Sequence, residues 1–164
     1  MNLAAPSLGD ANALKCELAG EVLRSSGTLR LRVTGWSMLP TVMPGDTLVI
    51  DHISSDDVSE GDIVLFVRDR RFFVHRVITK GSHDAAIVTC GDAMPSPDPP
   101  VPGCDLLGKV TLIARNGKCI EPARSPRFSE RAVSALVRHS TFAARVLVGV
   151  HDMRSHRQSS LPTP

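Results

Sequence analysis

Four side chains in this 164-residue chain have the types that acyl transfer needs: the hydroxyl of Ser37, the imidazole of His75 and the carboxylates of Asp92 and Asp98. A serine becomes a nucleophile when a neighbouring base takes its proton, and histidine suits that task near neutrality. The imidazole in turn needs a carboxylate on its other nitrogen, which fixes the tautomer and stabilises the imidazolium. Ser37 lies in Gly35-Trp36-Ser37-Met38-Leu39-Pro40-Thr41, a run that a turn would also favour for conformational reasons alone, so its weight comes from the motifs downstream. His75 lies in Phe72-Phe73-Val74-His75-Arg76-Val77-Ile78. Strand alternation there puts Phe73, His75 and Val77 on one face, an apolar wall around the ring. Asp92 and Asp98 are both eligible as the orienting acid, the rival reading being two turn-formers beside Gly and Pro.

Taken in order, Gly35 to Asp46, Gly61-Asp62-Ile63-Val64-Leu65-Phe66, Phe72 to Ile78, Thr89-Cys90-Gly91-Asp92, Asp98 and Leu107-Gly108-Lys109-Val110 resemble the S24/S26 serine peptidases. That clan holds the type I signal peptidases and the LexA-like self-cleaving repressors. The likeness spans roughly residues 30 to 115 and is closest to the archaeal and endoplasmic-reticulum signal peptidases, which carry a His-Arg-Val segment in place of a lysine base. The resemblance implies a coiled, mainly β domain in which Ser37 attacks, His75 is the base, Asp98 completes the triad and Asp92 gives structural support. Met38 and Pro40 match the family's turn and would shape the binding site with Gly35. Some relatives carry a hydroxyl at the position of Gly35, so here the backbone N–H of Ser37 is the natural oxyanion donor. The sequence departs from the pattern at Cys90, where a lysine is usual, at Ala93-Met94, where amides are usual, and before Ser37, where Ser7 to Ser25 stands in place of a membrane anchor.

The elements that must position these groups are legible as period changes. Ser7 and Asp10 make a capping-box-like start, and Leu8, Ala11, Leu14, Leu18 and Val22 recur at helical spacing until Gly27, predicting a helix over about 8 to 25 with that stripe inward. From Thr28 the chain alternates as a half-buried strand up to Ser37, and further short strands are predicted at 47–50, 63–67, 72–79, 86–89 and 108–114, punctuated by Gly, Asp and Pro. Arg68-Asp69-Arg70-Arg71 reads as a solvated hairpin tip. Five prolines between Met94 and Pro102 predict a stiff extended loop carrying Asp98. Beyond Pro126 the apolar residues Val133, Leu136, Val137, Ala144, Leu147 and Val148, with Arg131, Arg138 and Arg145, predict a basic amphipathic helix over 129–151 and a disordered end. The domain reading is an N-terminal helix over 1–27, a peptidase domain over 28–122 and a helical, basic tail over 123–164.

Composition is ordinary for one globular domain, with 42% hydrophobic and 22% charged residues. Net charge is +2, unevenly spread: residues 1–119 hold 12 basic and 14 acidic side chains, residues 120–164 hold 7 and 3. Cys16, Cys90, Cys104 and Cys119 form no Cys-x-x-Cys pair, so reduced thiols are expected and neither a zinc site nor any other metal or cofactor. A Cys90/Cys104/His75/His83 cluster matches no compact ligand spacing. No run has the ~18–20 apolar residues of a spanning helix, and the first residues lack an export signal, which together predict a cytoplasmic protein, peripheral at the membrane where the basic helix serves as the contact with a lipid surface or membrane protein. Phosphate-binding, dinucleotide and Gly-x-Ser-x-Gly motifs are absent, and the tail carries no nucleic-acid recognition motif. The expected function is a serine endopeptidase of the signal-peptidase-like group acting on a peptide or protein precursor. The alternatives are a non-catalytic peptide- or partner-binding accessory protein on the same fold and a self-processing LexA-like protein.

Overall fold

The computed structural model describes residues 8–81 and 86–125. One helix, α1 (Leu8–Ser26), leads into seven strands: β1 (Thr28–Arg32), β2 (Thr47–His52), β3 (Ile63–Arg68), β4 (Arg71–Lys80), β5 (Ile87–Cys90), β6 (Leu106–Arg115) and β7 (Lys118–Ile120). All pairings are antiparallel, in the order β1-β2-β6-β3-β4-β5, with β7 hydrogen-bonded to β6. The protein is thus mainly β. Most bounds differ from the sequence reading by a residue or two, but β1 ends at Arg32 instead of running up to Ser37, and β7, the return arm of a hairpin turning at Asn116-Gly117, has no counterpart in that reading.

Register shifts at Val49/Ile50, Leu65/Phe66 and Val77/Thr79 give the sheet its coil, because each extra residue bends its strand and steepens the twist. The coiled sheet buries two apolar groups. Leu23, Met38, Val42, Leu48, Ile50, Ile63, Leu65, Val110 and Ile113 fill one side. Val58, Val64, Phe66, Val77, Ile87, Val101 and Leu106 fill the other. β3 feeds both, which is why Ile63-Val64-Leu65-Phe66 shows no alternation and is buried throughout. Asp69 and Arg70, both at positive φ, form the two-residue turn between β3 and β4 that matches strand twist. Its flank is less solvated than the sequence implied: Arg68 lies over the Phe66 ring at 5.3 Å and donates to the Pro99 carbonyl.

One expectation is reversed. Leu14 and Leu18 are each 56% exposed and Val22 40%, whereas Cys16, Ala19 and Leu23 face the sheet. The apolar period is right but the stripe is the wrong one: the inward face is that of Cys16, Ala19, Gly20 and Leu23, and Gly20 lies against Leu107 of β6. Cys16, given no role by the sequence, packs here, and burial together with the charge of Glu17 pushes its thiol pKa up, leaving it neutral. The helix predicted over 129–151, the tail after it, Ser7 and His83 lie outside the described residues. Among the described residues no helix is long and apolar enough to cross a membrane.

Candidate active site

β4 carries His75 opposite Val64 of β3, deep enough that the histidine is 4% exposed. Phe66 and Phe73 stack at 5.6 Å and both present edges to the imidazole, at 6.0 and 5.9 Å. These contacts hold the ring in one orientation. Its Nε2 then faces Ser37 Oγ at 3.0 Å and its Nδ1 faces Asp98 Oδ2 at 2.6 Å. A proton on Nδ1 donates to the carboxylate, and Nε2 is left to accept from the serine hydroxyl. Thr89 of β5 donates its hydroxyl to the same Asp98 oxygen at 2.7 Å, and the Asp98 amide donates to the Thr89 carbonyl at 2.8 Å. The proline-rich loop is therefore tied to β5 at the residue that bears the acid.

Asp92 is placed differently. It faces Arg76, the next residue on β4, whose Nε and Nη2 donate to its two oxygens at 2.9 and 2.8 Å. Both side chains of this fork are almost wholly buried. Thr41, in the turn after the nucleophile, also donates its hydroxyl to Asp92. The Ala93 amide donates to the Ser37 carbonyl at 2.9 Å, joining the two loops through backbone as well. Gly91 lies where they meet: an added Cβ would stand 2.6 Å from the Ser37 carbonyl oxygen and 3.1 Å from His75 Nε2, so only glycine fits.

Of the remaining sequence-derived positions, Met38 is buried in the core beside Leu39, and Pro40 is half-buried, joined to Leu39 through a cis peptide. Gly35 lines a cleft of about 300 Å³ that opens beside Ser37, between Leu31–Gly35 on one wall and Phe72–Val74 on the other, with Met38 and Val42 below. Trp36 is 47% exposed and does not line that cleft. Asp46 and Asp62 hold buried carboxylates paired with partly exposed cations: Arg115 forks onto Asp46 and donates to the Thr41 carbonyl, and Lys109 reaches Asp62 at 3.0 Å. Sequence reasoning gave no role to Thr41, Thr89, Arg76 or Arg115. Thr41, at the end of the Ser37 run, Arg76, inside the His-Arg-Val segment, and Thr89, inside Thr-Cys-Gly-Asp, stood within quoted motifs, and Arg115 did not. Among the described residues no group of three or more His, Cys, Asp or Glu side chains could hold a metal ion.

A profile of the Peptidase S24-like family matches residues 4–111, which contain Ser37, His75, Asp92 and Asp98. The chain belongs to that family. No curated protein matches it significantly. Membership in the Peptidase S24-like family agrees with the mainly β sheet and the N-terminal helix. The family is one of peptidases.

Proposed function

We propose that the protein is a serine endopeptidase of the signal-peptidase-like group. The observation that carries this reading is the unbroken relay from Ser37 Oγ through His75 to Asp98, at 3.0 and 2.6 Å. In the first half-reaction Ser37 Oγ attacks the scissile carbonyl carbon while its proton passes to His75 Nε2. The Ser37 backbone N–H donates to the oxyanion that develops. Collapse breaks the C–N bond, and the imidazolium returns the proton to the leaving amine. Water, deprotonated by the same nitrogen, then cleaves the acyl ester and regenerates the serine.

The cleft supports an extended peptide as substrate. Among the described residues β1 pairs only with β2, and β5 covers β4 only from Arg76 to Lys80, so each cleft wall has a strand edge that no described strand pairs. A substrate strand laid between them would gain backbone hydrogen bonds on both sides. With Val33, Met38, Val42 and Val74 lining so small a space, short apolar side chains would fit beside the cut. A precursor or leader peptide is the substrate class we favour, reached at a membrane surface if the basic C-terminal segment engages lipid.

A fluorophosphonate probe tests the reading: Ser37 Oγ would form a bond to phosphorus and expel fluoride. Mass spectrometry of the full-length protein should locate the adduct on Ser37 and find none in Ser37→Ala or His75→Ala. Absence of labelling with probes of several shapes, alongside unchanged affinity of Ser37→Ala for a peptide, would replace this reading with that of a peptide-binding protein that does not cut.

A further inference from the structure

Arg76 uses four of its five N–H groups on protein oxygens. Two form the fork with Asp92, and both hydrogens of Nη1 are directed to backbone carbonyls, Gly61 at 2.9 Å and Ala123 at 2.7 Å. Ala123 belongs to none of the sheet strands. It lies in the segment Glu121–Ser125, which leaves β7 and runs back across the start of β3. Three further contacts seat this strap. Gly61, at φ +89°, offers bare backbone where a Cβ would collide with the Arg124 carbonyl oxygen. Arg124 Nε lies 3.7 Å from the buried Asp62 carboxylate. Glu121, Pro122 and Arg124 share a shallow groove with Lys109 and Thr111.

We propose that Arg76 is a positioning residue for the reaction at Ser37, and that the strap Glu121–Ser125 is the part that locks it, so that catalytic competence depends on the strap being seated. The connection is continuous. The strap carbonyl fixes the guanidinium, the guanidinium orients Asp92, and Asp92 holds Thr41 in the nucleophile turn while its neighbour Ala93 holds the Ser37 carbonyl. Removing the strap leaves a buried Nη1 hydrogen without its acceptor, and the guanidinium must turn to find another. Among the described residues the strap is the last part of the chain, and the Ala123 carbonyl is its direct contact with Arg76. Only the kinetic consequence rests on the peptidase reading; the structural linkage stands apart from it.

The experiment compares full-length wild type, Gly61→Ala, Arg76→Lys, Thr41→Val and Thr41→Ser. Gly61→Ala unseats the strap by steric conflict, and Gly117→Ala, also at positive φ but with open space around it, supplies the matched control for backbone strain. Amide hydrogen exchange at Ala93 reports the link between the loops, and fluorophosphonate labelling of Ser37 reports its kinetic effect. Gly61→Ala and Arg76→Lys should speed exchange at Ala93 at least tenfold and lower the limiting labelling rate about tenfold, with half-saturation within twofold. Thr41→Ser should restore what Thr41→Val loses, and Gly117→Ala should behave as wild type. If Gly61→Ala does not fold, Arg76→Lys carries the same comparison without touching Gly61. Wild-type exchange at Ala93 or a wild-type labelling rate in both Gly61→Ala and Arg76→Lys overturns the proposal. If wild type itself is never labelled, the peptidase reading falls, and the exchange data alone decide whether the strap holds the loops.

Discussion

Replacing Asp98 by asparagine separates the two acids that the sequence left side by side. Asp98 Oδ2 accepts from His75 Nδ1 at 2.6 Å and from Thr89 at 2.7 Å. In Asp98→Asn the amide can set its NH2 group where Oδ2 stood, donating one hydrogen to Nδ1 and the other to the Thr89 hydroxyl, which turns from donor to acceptor. The imidazole answers by moving its proton to Nε2, the nitrogen 3.0 Å from Ser37 Oγ. A protonated Nε2 cannot accept the hydroxyl proton. The structure around it is otherwise undisturbed, so the loss falls on the rate: a misplaced tautomer of this kind costs on the order of 10⁴. At about 1.4 kcal/mol per factor of ten, that is roughly 5.5 kcal/mol of transition-state stabilisation. Stability should fall by only about 1–2 kcal/mol, the worth of one weakened hydrogen bond to a charged group.

The contrast is Asp92→Asn. It breaks a fork in which both partners are almost wholly buried, leaving the Arg76 charge without its counterion. Breaking such a pair costs about 3–5 kcal/mol of stability. The assays are urea unfolding for stability and the limiting rate of Ser37 labelling at saturating fluorophosphonate for chemistry. Asp98→Asn should be nearly as stable as wild type and almost unreactive. A labelling rate for Asp98→Asn within threefold of wild type would refute the assignment of Asp98 as the acid that orients His75.

The packing sets three further outcomes. Gly91→Ala forces a methyl against the Ser37 carbonyl oxygen at 2.6 Å, so both the melting temperature and the labelling rate should drop, checked by calorimetry and probe kinetics. Leu23→Ala, at a residue 1% exposed between α1 and the sheet, should cost about 2–5 kcal/mol in urea unfolding. Leu14→Gln with Leu18→Gln should change stability by no more than about 0.5 kcal/mol each, since neither side chain is packed on the sheet; a loss as large as that of Leu23→Ala would contradict the orientation of α1.

The β character of the chain was legible because period-2 runs and turn residues are local signals, and strand bounds agree to within a residue or two except at β1, which ends at Arg32. The face of α1 was not, since periodicity weighs large side chains, while the face packed on the sheet is that of Cys16, Ala19 and Leu23. The two acids could not be ranked by spacing alone. What separates them is strand geometry: His75 and Arg76 are consecutive on β4 and point to opposite faces, and each face meets a different part of the loop after β5, Asp98 on one side and Asp92 on the other. Thr41 and Thr89 escaped notice because a threonine in a turn or a strand needs no further explanation until its partner, 51 or 9 residues away, is known.

That division of β4 into a chemical face and a structural one bears on how the site can be disturbed. The chemical face is enclosed by Phe66, Phe73 and the proline loop, none of which reaches beyond residue 102. The structural face is closed by Arg76, whose last acceptor lies at residue 123, after the sheet is complete. Among the described residues, a change at the C-terminal end therefore has no route to His75 through its own wall. It has one to Ser37, through Arg76, Asp92 and the turn at Thr41, and that route moves the nucleophile relative to a base that stays in place. Since a transition state built from a 3.0 Å contact loses rate steeply when one partner shifts by a fraction of an ångström, such a perturbation should lower the rate of acylation while leaving the cleft, and hence substrate affinity, largely as it was.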